Sequence, residues 1–388
     1  MRVTAIVNRR ARRLQNGSPI FEAVLRVARA NSMRLLETRS LSDLEAAAAE
    51  IAADPGDTVV LAGGDGSYMA GVTALRNAFA NRQDRFQVDA SSRRHERRPD
   101  SNCTESTKWT KYSESNGAKR SEQPAAALRT APQPPTVKSH QIESGQIAWP
   151  KIALVPGGTV STVARNWGYE GGGLLSIGDG AAAKYTDALL SAIVSGHTEV
   201  TARPTLLVRN HNGDAACVEH VGFIVGAGLV ARFFEIYTNQ GSGGYRSAAS
   251  LVMRIFGGSL FGGALARRVL EPVPCQVEVD GVRAPFDRTS LVCASVVRDL
   301  GLHLHLLHRA GEERDRFHIV ATSLGPSRLG PQLPRVLAGK PLIGTHVDAL
   351  AERATLTMPK GAFVLDGELF TGDRIEIEAG PVIRVLSM

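Results

Sequence analysis

Aromatic residues are scarce in this chain, 5% of its 388 residues. That leaves too few ring faces for the stacking platforms that bind single-stranded nucleic acid, and no nucleic-acid partner is expected. The cysteines are four, Cys103, Cys217, Cys275 and Cys293. No two sit at metal or redox spacing, and a chain this long needs no disulfide staples, so a reduced, cytoplasmic setting is expected. No apolar run is long enough to span a bilayer. The opening Met1-Arg2-Val3-Thr4-Ala5-Ile6-Val7 is too short for a signal peptide and reads as a first strand. A basic excess is present, with a formal net charge of +7 and a pI near 9.4, but it is unevenly spread. The stretch Asn81 to Trp149 holds twelve Lys/Arg and eight Asp/Glu, a net of +4, which leaves 7 − 4 = +3 for the remainder. A solvated charged linker accounts for that segment, with weak attraction to anionic lipid headgroups as the alternative.

What is present is ordinary globular composition, 43% hydrophobic and 21% charged, with 39 glycines. The first part alternates strand and helix. Val3–Val7 reads as a strand, Ile20–Ala30 as a helix, Leu35-Leu36 as a short strand, and Asp43–Ala52 as a helix with Ser42 placed as its cap. Thr58–Leu61 is a continuous β-branched run of the kind buried on both faces of a parallel sheet, and Ser67–Phe79 is helical. The pattern stops between 81 and 149, where Ser/Thr clusters, arginine pairs and Pro132-Gln133-Pro134-Pro135 predict a disordered insertion. It resumes with the strand Ile152–Val155 and a helix after Thr159. From about Thr201 short β-like runs follow one another: Thr205–Arg209, Glu219–Val225, Cys275–Val279, Ser290–Val297, His318–Ala321 and Ala354–Met358. Asp280-Gly281 marks a hairpin turn. This half is expected to be antiparallel, interrupted by a glycine-rich helical stretch, Ala248–Leu270, that covers core or forms a membrane-contacting lip.

Three segments carry candidate chemistry. In Val59-Val60-Leu61-Ala62-Gly63-Gly64-Asp65-Gly66-Ser67 a buried strand runs into glycines and opens a helix. Such a turn lets backbone N–H groups and the helix N-terminus meet an anion. Asp65 could hydrogen-bond a nucleotide or help hold Mg2+, and Ser67 offers a hydroxyl to a phosphate. In Leu154-Val155-Pro156-Gly157-Gly158-Thr159-Val160-Ser161-Thr162-Val163-Ala164-Arg165 the pattern repeats, with Thr159 and Ser161 at the helix start. Two such loops at neighbouring strand ends would form one phosphate-binding crevice. In Phe363-Val364-Leu365-Asp366-Gly367-Glu368 two carboxylates flank a glycine turn, and one near a transferring phosphoryl group can accept an alcohol's proton. Each segment alone is also explained by a ligand-free turn.

Together and in this order they resemble the catalytic family of diacylglycerol kinases, which includes bacterial lipid kinases and sphingosine and ceramide kinases. The resemblance covers nearly all of the chain outside the insertion, and His220–Ala227 and Gln276–Val282 contribute to it. It implies an α/β nucleotide-binding domain with a parallel sheet (1–80 and 150–168, rejoined by a last strand near 374–388). An antiparallel β-rich lipid-substrate domain (169–373) follows, and the active site lies in the cleft between the two. It implies MgATP as phosphoryl donor, a lipid acceptor reached at the membrane surface and peripheral membrane contact. By position, Asn8, Gly63, Gly64, Asp65, Gly66, Ser67, Gly158 and Thr159 would serve the nucleotide. Asp366 would be the general base, with Glu368 beside the metal or nucleotide.

The sequence departs from the family at Arg9-Arg10, where proline usually follows the early asparagine. It departs again at Val160-Ser161-Thr162, where Gly-Asn-Asp is common, and at Gly301-Leu302-His303, where a glycine cluster is usual. No carboxylate cluster for an additional structural metal is evident. His303, His305 and His308 invite a metal reading, and in a strand His303 and His305 would share a face, but no carboxylate or cysteine partner is evident, and solvent-facing or satisfied histidines are the expectation. The glycine loop also resembles those of phosphofructokinases and NAD kinases. The former's Asp-rich base segment and the latter's Asn-Glu segment are not apparent. A nucleotide- or lipid-binding descendant without turnover is the reading from another class. The particular lipid and the oligomeric state are not legible.

Overall fold

A β-branched run flanked by amphipathic helices has to be buried on both faces, and the strand Thr58–Gly63 is buried at every residue. In the computed structural model, which describes residues 2–95, 149–158, 160–169, 179–213, 217–240 and 245–388, this strand lies in a six-stranded sheet. The order across that sheet is Arg34–Thr38, Val3–Asn8, Thr58–Gly63, Lys151–Pro156, Ile383–Ser387 and Glu199–Arg203. All neighbours are parallel except the last pair. The helices Pro19–Ala30 and Asp179–Ser195 pack on each other beside it. Ser18 caps the former by accepting the Phe21 N–H at 3.1 Å.

The second sheet is antiparallel. Along its main path run Val347–Ala351, Phe317–Thr322, Leu291–Ser295, Ile224–Gly228, Arg353–Leu365, Glu368–Ala379, Leu206–His211 and Val218–Gly222. Gln276–Val279 pairs with Arg353–Leu365 and turns through Asp280-Gly281, whose φ angles of +48° and +79° are those of the hairpin turn the dipeptide predicts. The helix Asp65–His95 ties the two sheets together. Thr73 Oγ1 accepts the Val221 N–H at 2.8 Å, and Arg76 pairs with Glu219 at 2.8 Å. Met1–Arg82 and Trp149–Met388 thereby form one compact unit.

Several boundaries differ from the sequence reading. The second helix is Leu41–Ala53, and its cap is Ser40 rather than Ser42. Asp43 stands at the third helical position; its N–H donates to Ser40 Oγ and its carboxylate accepts the Ser40 N–H, completing a capping box. The run Glu219–Val225 breaks at Phe223 into Val218–Gly222 and Ile224–Gly228. The segment 374–379 stays in the antiparallel sheet, and only Ile383–Ser387 joins the first, because Gly380-Pro381 interrupts the ladder. The glycine-rich stretch is two helices, Tyr245–Leu260 and Ala264–Leu270. Among the described residues no single helix is long and apolar enough to cross a membrane. The first part of the insertion expected to be disordered at 81–149 is helical instead, because Asp65–His95 runs on through 81–95; the expectation for 96–148 falls outside the described residues.

Candidate active site

Gly63 and Pro156 are directly opposite in parallel register, so both glycine loops leave the sheet side by side. Their backbones touch. Gly157 N–H donates to Gly63 O at 2.7 Å, and a β-carbon placed on Gly158 would lie 2.6 Å from Gly64 Cα. No residue but glycine fits such an approach. The two glycine loops thus stand side by side at the carboxyl ends of two parallel strands.

Asp65 spans the two loops. Its Oδ2 accepts the Thr162 N–H at 2.8 Å and its Oδ1 the Val163 N–H at 3.0 Å. It therefore caps the short helix Thr162–Asn166 from another segment, a role a side chain would normally fill from the residue before the helix. Ser161, which holds that place, is left-handed (φ +52°) and its hydroxyl turns back to Gly158 O at 3.3 Å. Burial raises the Asp65 pKa above the usual carboxylate range, and the two N–H bonds pull it back in part. Asn8 Nδ2 donates to Ser67 Oγ at 2.8 Å, and Ser67 Oγ also accepts the Gly64 N–H at 3.3 Å. Asn8 thus fixes the serine that faces the crevice. Thr159 falls outside the described residues.

Asp366 and Gly367 are the two central residues of the hairpin joining Arg353–Leu365 to Glu368–Ala379, with φ +49° and +88°. This mirror-image turn aims the Asp366 carboxylate inward. It accepts the Phe223 N–H at 3.0 Å and the Ile224 N–H at 2.9 Å, at the break between two strands. The carboxylate is buried, and burial first, then the charge of Asp65, raises its pKa well above the ordinary value. A carboxylate with a raised pKa is the stronger base. Glu368 stands at the other side of the turn, exposed, against Gly66: a β-carbon on Gly66 would lie 2.7 Å from Glu368 Oε1.

One cavity of about 660 Å³ joins these groups. At one end are Asn8, Gly64, Asp65, Gly66, Ser67, Gly158, Ser161 and Thr162; at the junction are Asp366 and Glu368; beyond them Leu229, Phe233, Val252, Phe256, Leu302 and Leu333 line an apolar chamber. Arg10 and Arg12 also line the polar end, and sequence reasoning gave them no role. Arg10 stands where the family pattern is interrupted, and Arg12 carried no signal. Arg9, by contrast, is packed over the Phe21 ring at 3.5 Å and pairs with Glu37.

Three carboxylates offer oxygens for the Mg2+ that the resemblance implies. Asp65 and Asp366 are engaged by backbone N–H groups. No hydrogen bond or ion pair holds Glu368 among the described residues, and it offers a hard oxygen at the crevice mouth, which is what Mg2+ takes alongside phosphate. The residues fit the ion.

The fold is that of diacylglycerol kinase structures. A Bacillus anthracis chain provisionally described as a diacylglycerol kinase matches with a TM-score of 0.57 at 15% identity, covering 100% of this chain and 97% of that one. A diacylglycerol kinase from the same organism matches with a TM-score of 0.53 at 14% identity, covering 99% and 96%. No protein-family profile and no curated protein sequence matches the chain.

Proposed function

We propose that this protein is an ATP-dependent lipid kinase that transfers the γ-phosphoryl group of MgATP to a lipid hydroxyl, of diacylglycerol type. The observation that carries the reading is the two-ended cavity. A polar crevice of glycine backbone and arginines suits a nucleoside triphosphate, an apolar chamber suits acyl chains, and a buried carboxylate stands where they meet. The acceptor hydroxyl attacks the γ-phosphorus, Asp366 takes its proton, and the bond to ADP breaks in line. The N–H groups of Phe223 and Ile224 hold Asp366 oriented for that transfer. Glycine-loop N–H groups, Arg10 and Arg12 offset the phosphate charge. Glu368 would hold Mg2+, which supplies further charge neutralisation on the phosphates. Catalysis here is mainly positioning and electrostatics.

Peripheral membrane contact is part of the proposal. The helix whose Ala248, Val252 and Phe256 line the chamber exposes Met253 and Leu260 at 63% and leads to Phe261 at 90%. Residues 245–270 contain four arginines and no acidic residue. An apolar tip with basic flanks suits an anionic bilayer.

The test is transfer of radiolabelled γ-phosphate from MgATP to diacylglycerol, monoacylglycerol, sphingosine and ceramide in mixed micelles. Label in the diacylglycerol product supports the reading in full. Label only in a sphingoid base or ceramide keeps the kinase and replaces the acceptor. No label in any lipid, with ATP binding intact, removes the lipid-kinase reading in favour of a binding-only protein.

A further inference from the structure

The segment Asp299–His305 runs along the cavity wall, with Leu300, Leu302 and Leu304 lining it and the intervening histidines absent from the lining. We propose that Asp299, His303 and His305 bind a divalent transition-metal ion, Zn2+ above all, on the outer side of this wall.

The three side chains converge on one point. His303 Nδ1 lies 3.7 Å and His305 Nε2 3.8 Å from the same oxygen, Asp299 Oδ2. All three ligand atoms are within 4.8 Å of one another. The separations are too long for hydrogen bonds. They are close to the edge of about 3.3–3.5 Å that separates ligands held at about 2.0–2.1 Å around tetrahedral zinc. The other carboxylate oxygen, Asp299 Oδ1, accepts the Gly301 N–H at 2.8 Å, which fixes the orientation of the first. The Asp299 backbone is gripped at both ends by Asn166, through 3.1 Å and 2.8 Å hydrogen bonds. The histidines are placed by an unusual backbone: Leu302 and His303 are left-handed, at φ +57° and +56°, without being glycine. A conformation so disfavoured for bulky side chains persists only where the surroundings enforce it.

Two imidazoles and one carboxylate suit Zn2+ and its neighbours in the first transition row, not Mg2+. Three ligands leave a position for water, and the half-exposed cluster admits the ion from solvent. The second histidine cluster of the same region, His308, His318 and Asp348, is a poorer site. His318 Nε2 is bonded to Asp348 at 2.7 Å, and its Nδ1 accepts the Arg309 N–H at 3.4 Å, so both ring nitrogens are engaged.

The position gives the ion a structural consequence. Asn166 ends the helix that Asp65 caps, and the leucines beside the histidines wall the chamber. Metal occupancy therefore links the phosphate crevice to the chamber wall and stiffens both. The site itself stands whatever the acceptor is.

The experiment is equilibrium dialysis of the chelator-treated full chain against Zn2+, with Mg2+ as comparison, and a melting curve of each sample. The expected result is about one Zn2+ per chain, with affinity lowered at least about tenfold in each of Asp299→Asn, His303→Ala and His305→Ala. Binding in His308→Ala and His197→Ala stays unchanged, and Zn2+ raises the melting temperature only where it binds. Asp299→Asn keeps the acceptor for Gly301, so a loss there reflects the ligand and not the loop. Absence of Zn2+ binding overturns the proposal. So does binding that survives those three variants, including binding lost in His308→Ala.

Discussion

Asp366→Asn separates function from stability at a single atom. The position is left-handed and is followed by glycine, and Asn-Gly is among the best dipeptides for this turn. The amide oxygen in the place of Oδ1 still accepts from Phe223 and Ile224, at 3.2 and 2.9 Å, which keeps the hairpin anchored. What is lost is the proton acceptor. General-base catalysis contributes about 10²–10⁴-fold, and the turnover number should fall by that factor while the ATP dissociation constant changes little.

Stability should respond in the opposite sense. The folded Asp366 has a raised pKa, so its ionisation costs folding free energy. Between the unfolded and folded pKa values the folded state binds the proton and the unfolded state does not. Stability is therefore fully present below the unfolded value and lost as pH rises toward the folded one, by about 1.4 kcal/mol per pH unit of displacement. Asparagine carries no such cost. The variant should be as stable as the wild type in acid and more stable at neutral pH, in urea melts across that range. Wild-type turnover should rise with pH as the base loses its proton. A variant with turnover within a few-fold of wild type, or one that is destabilised at neutral pH, refutes the assignment of Asp366 as a buried base.

Asp65→Ala removes the acceptor of two N–H groups, and the loss of such a cap costs about 0.5–2 kcal/mol; urea melts should show it together with weaker ATP binding by calorimetry, and unchanged stability would deny the capping role. Gly158→Ala drives a methyl group into the backbone of Gly64, and overpacking of that kind costs about 1–3 kcal/mol; Gly66→Ala meets only the flexible Glu368 and should fold normally while losing turnover. Val252→Trp fills the apolar chamber, and should raise KM for long-chain acceptors and leave KM for ATP alone. Phe261→Ser should weaken sedimentation with anionic vesicles without altering transfer to a soluble short-chain acceptor.

The parts of this molecule that were legible in sequence are those whose signals are local. Strand, glycine and helix follow one another within ten residues at both loops, and the alternation of Gln276–Val279 with its Asp-Gly turn needs no distant partner. The resemblance implied one last strand from about 374, but Pro381 cannot donate to a ladder and marks the break that splits it. Ser40 and Ser42 are equally good caps by type. Each also has a carboxylate three residues on, Asp43 from Ser40 and Glu45 from Ser42, so the sequence does not choose between them; in the structure the helix starts at Leu41 and Ser40 is the cap. Asp299 lies four and six residues before its histidines and was within reach of sequence. A strand would spread Asp299 and the two histidines along its length, whereas the left-handed turn at Leu302 and His303 brings them together.

What could not be read is what the carboxylates do. Asp65 meets Thr162 across 97 residues, and Asp366 meets Phe223 across 143. A motif that looks like a ligand loop is here also a packing device, because Gly64 and Gly158 must be glycine merely for the two loops to touch. Glycine at these positions is thus required with or without ATP, and carries less functional information than its place in the motif suggests. Gly66 differs: its missing side chain makes room for the Glu368 carboxylate and for nothing in the backbone. In the proposed kinase the functional content of the loop would therefore rest on Gly66, on Ser67 held by Asn8, and on Arg10 and Arg12, which line the same cavity.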